Sequence, residues 1–60
     1  MKWDLDTKIP FGKYRGFDIE DVINSDPSYI DWMIRTFPQS ENTFSVEVTE
    51  ALWKVSNKYS

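Results

Sequence analysis

Ten aromatic side chains in a chain of 60 residues, with no cysteine and no histidine, fix how such a domain can hold itself together. A domain this short buries only roughly 60% of its unfolded surface and is marginal unless something else supports it. Disulfides and structural zinc are the usual supports, and this composition offers neither. Each large ring can bury about 150–250 Å². The three Trp, three Tyr and four Phe are therefore expected to build most of the core, with a binding surface as the alternative use of some of them. The sequence reads as one domain, residues 1–60, folded as a monomer without metal, disulfide or cofactor.

Charge is unevenly spread. Lys8 to Phe17 holds three bases, both glycines, three aromatics and no acid, a local charge of +3 against a remainder of −6. A basic, aromatic, glycine-punctuated segment in an acidic chain suits contact with an anionic or extended partner. The net charge of −3 argues against a generic polyphosphate binder. No basic-then-apolar leader and no apolar run of membrane-spanning length is present, so the chain reads as cytoplasmic with no membrane partner.

Periodicity and punctuation predict an α+β domain: an N-terminal β-hairpin, a short helix and two longer helices. Trp3 and Leu5 alternate with charged residues, as in a half-buried strand. Gly12-Lys13 fits the centre of a type II′ turn, with Phe11 and Tyr14 paired across it, Pro10 on an edge and Gly16 at a bulge or a close approach; the register stays open. Asp18 can cap a helix over Ile19 to Ile23 or Asn24, and Glu20 and Asp21 fall in its first turn. Asp26-Pro27 is the clearest helix start, and that helix runs to about Phe37, before Pro38. Tyr29, Ile30, Met33, Ile34 and Phe37 form its apolar stripe, Trp32 lies at the edge, and Asp31 and Arg35 pair four apart. Phe11 and Trp32 are expected in the core. After a polar loop over residues 38–43, a last helix is predicted from near Ser45 to near Asn57, capped by Thr43 or Ser45. It buries Val48, Ala51, Leu52, Val55 and Tyr59, and Glu50 and Lys54 stand in the favoured order for an ion pair. Val46 and Trp53 fall on its other side, either against the N-terminal strand or as a partner patch.

The run Pro10-Phe11-Gly12-Lys13-Tyr14-Arg15-Gly16, then Ile19-Glu20-Asp21-Val22, then Asp26-Pro27-Ser28-Tyr29-Ile30-Asp31-Trp32-Met33-Ile34, resembles a small known module. It is similar to the domain at the C-terminus of exodeoxyribonuclease X-like proteins, which also occurs as short stand-alone proteins of bacteria and phages. The resemblance covers residues 8–37, with Arg15 where lysine is commoner, and reaches the last helix in type only. It implies an accessory role in DNA processing, by nucleic-acid or protein contact, and fits a phage or mobile-element origin. The matching residues are those of the module alone, so no nuclease activity is carried over.

The residues point away from catalysis. Asp18, Glu20 and Asp21 are close in sequence, but on a first helical turn they are the ordinary capping pattern rather than a metal site. With no histidine, no cysteine and no serine beside a base, the common nucleophilic mechanisms are closed. The expectation is a non-catalytic binding module with Lys8, Lys13, Tyr14 and Arg15 as contact residues. Their partner is nucleic acid or a DNA-processing protein, through base stacking and phosphate contacts. The bland alternative is a solvated turn. Three cations predict a salt dependence of about −2 to −3 for single strands. The competing class is a protein-binding adaptor or inhibitor acting through Val46 and Trp53.

Overall fold

A computed structural model describes residues 1–58. The chain is α+β, with β1 (Lys2–Trp3), a 3₁₀ turn (Gly12–Tyr14), α1 (Ile19–Ser25), α2 (Pro27–Thr36), β2 (Thr43–Phe44) and α3 (Val46–Lys58). One short helix followed by two longer ones is the arrangement the sequence predicts. Among the described residues, no helix is long and apolar enough to cross a membrane.

The strands depart from expectation. β1 pairs with β2 in parallel, Lys2 opposite Thr43 and Trp3 opposite Phe44. The sequence predicts a loop over residues 38–43, because a two-residue strand carries no periodicity to detect. The predicted hairpin survives in looser form. Residues 5–9 run antiparallel to 16–20, through Glu20 N–H to the Leu5 carbonyl, Ile19 N–H to Thr7, and a reciprocal pair between Ile9 and Gly16-Phe17. A single antiparallel bridge, Lys8 with Asp18, marks this pairing.

The type II′ turn at Gly12-Lys13 is not formed. Gly12 has φ +73° and opens the 3₁₀ turn, which Arg15 N–H closes onto the Gly12 carbonyl. Phe11 and Tyr14 do not pair across it, because each has a partner elsewhere. Phe11 packs on Trp3 and Phe37, and Tyr14 on Tyr29 and Phe17. Burial of the two rings at separate places outweighs the local turn preference, and the loop widens to allow it. Gly16, at φ +88°, forms the expected bulge: its N–H donates to the Ile9 carbonyl while the Ile9 N–H donates to that of Phe17, so two residues oppose one.

The helices begin and end for identifiable reasons. Val22, Ile23 and Ile19 of α1 are buried, as are Ile30 and Met33 of α2 and Val48 and Leu52 of α3. Ala51 and Val55 pack at the edge of that core, while Tyr59 lies outside the described residues. Ser45, not Thr43, caps α3, its Oγ accepting the Val48 N–H at 3.3 Å. Asp31 and Arg35 pair at 2.9 Å, whereas Glu50 and Lys54 form no ion pair. Asp18 stands at the N-cap of α1 without a side-chain capping bond, because its carboxylate takes the Lys8 ammonium at 2.8 Å instead.

The buried tryptophan is Trp3, 1% exposed. Its ring stacks on Phe44 and meets Phe11 and Phe37, and its indole N–H donates to Asn42 Oδ1 at 3.1 Å. Phe11 is half-buried against this cluster, whereas Trp32 is 49% exposed and is not a core residue as expected. Trp3→Ala should therefore cost about 3–5 kcal/mol, which is comparable to the whole stability of so small a domain. Trp32→Ala should leave a cooperative melt. Circular dichroism melts of the two variants check this, and an unfolded Trp32→Ala beside a folded Trp3→Ala would reverse the core assignment.

Candidate functional site

Eight rings form one continuous row. From inside outward, Phe44 meets Trp3, Trp3 meets Phe11 and Phe37, and Phe37 meets Trp32. Trp32 lies 5.6 Å from Tyr29, Tyr29 4.8 Å from Tyr14, and Tyr14 6.0 Å from Phe17, centroid to centroid. Of the inner four only Trp3 is fully buried, and Phe44, Phe11 and Phe37 pack half-buried against the core. Of the outer four, two from α2 and two from the loop, Tyr14 and Tyr29 are half-buried and Phe17 and Trp32 are about half exposed. The Lys13 ammonium stands over this outer part, 5.2 Å from the Tyr14 centroid and 5.9 Å from that of Tyr29. At such distances a cation is attracted to the ring faces.

Two contacts hold the loop on α2. Gly12 lies against Tyr29, so that a Cβ there would come within 2.7 Å of the Tyr29 hydroxyl. The Tyr14 hydroxyl donates to Asp26 Oδ2 at 2.9 Å. Asp26 stands at the N-cap of α2, as the sequence predicts, but its carboxylate does not cap backbone N–H groups. It accepts from the Ser28 hydroxyl at 2.6 Å and from Tyr14, and the Lys13 ammonium lies 3.6 Å away.

The four contact residues expected from sequence thus have different surroundings. Lys8 is committed to Asp18 at the base of the loop. Lys13 shares Asp26, and the Tyr14 hydroxyl is spent on the same carboxylate. Arg15 is exposed and, among the described residues, makes no ion pair. Phe17, Tyr29 and Trp32 join the site without having been singled out for it. The signal available in the sequence was the Tyr29–Trp32 spacing of three, which puts two rings side by side on a helix. Val46 and Trp53 are 66% and 68% exposed, so neither is buried against the N-terminal strand. Among the described residues, no group of three or more acidic side chains is placed to hold a metal ion.

Titration follows the hydrogen bonds. The Ser28 hydroxyl, then the Tyr14 hydroxyl, hold the Asp26 carboxyl below the usual carboxylate range. The bond to Asp26 raises the Tyr14 hydroxyl above the ordinary tyrosine value, and the bond to Asp18 raises the Lys8 ammonium.

The family model of the exodeoxyribonuclease X-like C-terminal domain matches residues 9–37, just under half of the chain. The matched segment holds the loop, α1, α2 and every outer ring of the row. The chain carries a small domain resembling that module, and the resemblance associates it with DNA processing. Neither the curated proteins nor the solved structures give a match.

A depressed carboxyl pKa adds stability above the unfolded value, lost as pH falls through the folded value. A raised tyrosine pKa adds stability below the unfolded value, lost as pH rises through the folded one. The melting-temperature difference between wild type and Asp26→Asn should hold steady between the ordinary aspartate and tyrosine values, about pH 4 to 10. It should shrink on both sides of that window. A difference unchanged down to strong acid would show that the Asp26 carboxylate does no special work.

Proposed function

We propose that this chain is a non-catalytic module accessory to DNA processing, acting in the cytoplasm, that contacts nucleic acid through the loop over residues 9–17 and the adjoining surface of α2. One observation carries the reading: Lys13 stands over a row of rings whose outer members stay partly exposed, and the exposed Arg15 follows Tyr14 in the chain. A solvated turn needs no such row. Rings that offer faces to bases and cations that hold the backbone are the two parts of a nucleic-acid platform. The match to a module of exodeoxyribonuclease X-like proteins supports the same setting.

The non-catalytic part of the reading draws on where the carboxylates are used. Asp18 is occupied by Lys8, and Asp26 by Ser28 and Tyr14. Neither histidine nor cysteine is available as a base or nucleophile.

The electrostatic contribution is smaller than a count of three bases suggests. Lys8 and Lys13 each face an aspartate, and of these three bases Arg15 alone is in no ion pair with a described residue. Surface ion pairs are weak, so a phosphate can recruit Lys13 away from Asp26. One to two cations then give a log–log salt slope of about −0.7 to −1.4 for single strands, roughly one third to two thirds of what three free bases would give.

A second reading has its own support. Val46 and Trp53 are exposed on the outer face of α3, which suits an adaptor docking on another protein. The two readings separate cleanly. Lys13→Glu with Arg15→Glu should keep the wild-type melt and abolish binding to labelled oligonucleotides in a low-salt anisotropy titration. The oligonucleotides should stay intact with magnesium present. Undiminished binding by the double variant, with loss of a captured protein partner on Trp53→Ala, would replace this reading with the adaptor.

A further inference from the structure

Charge alone leaves the loop a poor holder of phosphates. Lys8 is spent on Asp18, Lys13 shares Asp26, and Arg35, three residues beyond Trp32 on α2, is spent on Asp31. Duplex DNA offers chiefly its phosphates, with the base faces hidden inside the stack. A surface with so little uncommitted charge gains little from it. What the surface has in abundance is ring area. In a domain that needs its rings for burial, Phe17 and Trp32 each leave about half of themselves in solvent. Three ring-to-ring steps of 6.0, 4.8 and 5.6 Å join them through Tyr14 and Tyr29.

We infer that the ridge Phe17–Tyr14–Tyr29–Trp32 is a stacking platform for unpaired bases, so that the partner is single-stranded nucleic acid, bases on Trp32 and Phe17 and backbone at Lys13 and Arg15. This deepens the nucleic-acid reading above and rests on it. The two middle rings of the ridge are tethered before binding. Tyr14 is fixed by Asp26, and Tyr29 by its contact with Gly12. Stacking then costs little side-chain ordering. An aromatic ridge can also seat a proline-rich segment. Such a segment carries no phosphates, and the cations beside the rings would go unmatched.

The test uses anisotropy at low salt with labelled oligothymidylate, an abasic strand of the same length, oligouridylate and a duplex. Oligothymidylate should bind more tightly than the abasic strand by roughly 5- to 150-fold for each base stacked. It should also bind more tightly than the duplex. Trp32→Ala should lower oligothymidylate affinity towards that of the abasic strand and leave abasic binding unchanged, while Trp32→Phe restores most of the difference. Tighter binding of oligouridylate would support the same platform with RNA as the source. Quenching of indole emission by oligothymidylate should survive Trp53→Phe and vanish in Trp32→Phe. Equal affinity for oligothymidylate and the abasic strand would overturn the stacking platform while leaving the nucleic-acid reading standing. If none of the nucleic acids binds, but a polyproline peptide does in a Trp32-dependent way, both readings fail together.

Discussion

Asp26 is the junction on which this small domain depends. Its backbone N–H closes α1 onto the Val22 carbonyl, and its own carbonyl accepts the Tyr29 N–H that begins α2. One carboxylate oxygen takes the Ser28 hydroxyl, and the other takes the Tyr14 hydroxyl, with Lys13 beside it. Two helices and a loop therefore meet at one residue. Side-chain bonds to a charged acceptor are stronger than neutral ones. The loop has few alternatives, since its ladder contacts among the described residues are at its base.

The aromatic row resolves a conflict that composition imposes. A domain without disulfides or zinc must bury its rings to fold, yet a binding surface must leave some in solvent. Here a single row serves both needs. Its inner end, Trp3 with Phe44, Phe11 and Phe37, joins the β1–β2 pair to the loop and to the end of α2. Its outer end is exposed but stays in ring contact with the core through Phe37 and Trp32. The outer rings therefore inherit order from the inner ones, and the surface does not need a scaffold of its own.

Much of this was legible in the sequence, and the losses share one cause. The Asp26-Pro27 start, the α2 stripe, the α1 core positions and the Val48–Leu52 face of α3 follow from capping chemistry and helical period, which are local. The missed features are decided by tertiary partners. Asp18 and Asp26 sit at helix starts as read, yet Lys8 and Tyr14 claim their carboxylates. Phe11 and Tyr14 abandon a tight turn for separate ring neighbours. β2 is defined by its tertiary partner, with the Thr43 and Ser45 N–H groups on the Met1 and Trp3 carbonyls and Phe44 stacked on Trp3. The site was half legible for the same reason. Its charged residues stood out in one segment, while Phe17, Tyr29 and Trp32 became a surface only when the loop closed on α2.

The claim that Tyr14 and Asp26 together lock the loop to α2 is tested most directly by a double-mutant cycle. Thermal and denaturant stability would be measured for wild type, Tyr14→Phe, Asp26→Ala and the double variant. If the hydroxyl acts through that carboxylate, the two losses overlap, and the double variant is no less stable than Asp26→Ala alone. If the losses simply add, the hydroxyl and the carboxylate stabilise the fold independently, and the loop is held by something other than this bond.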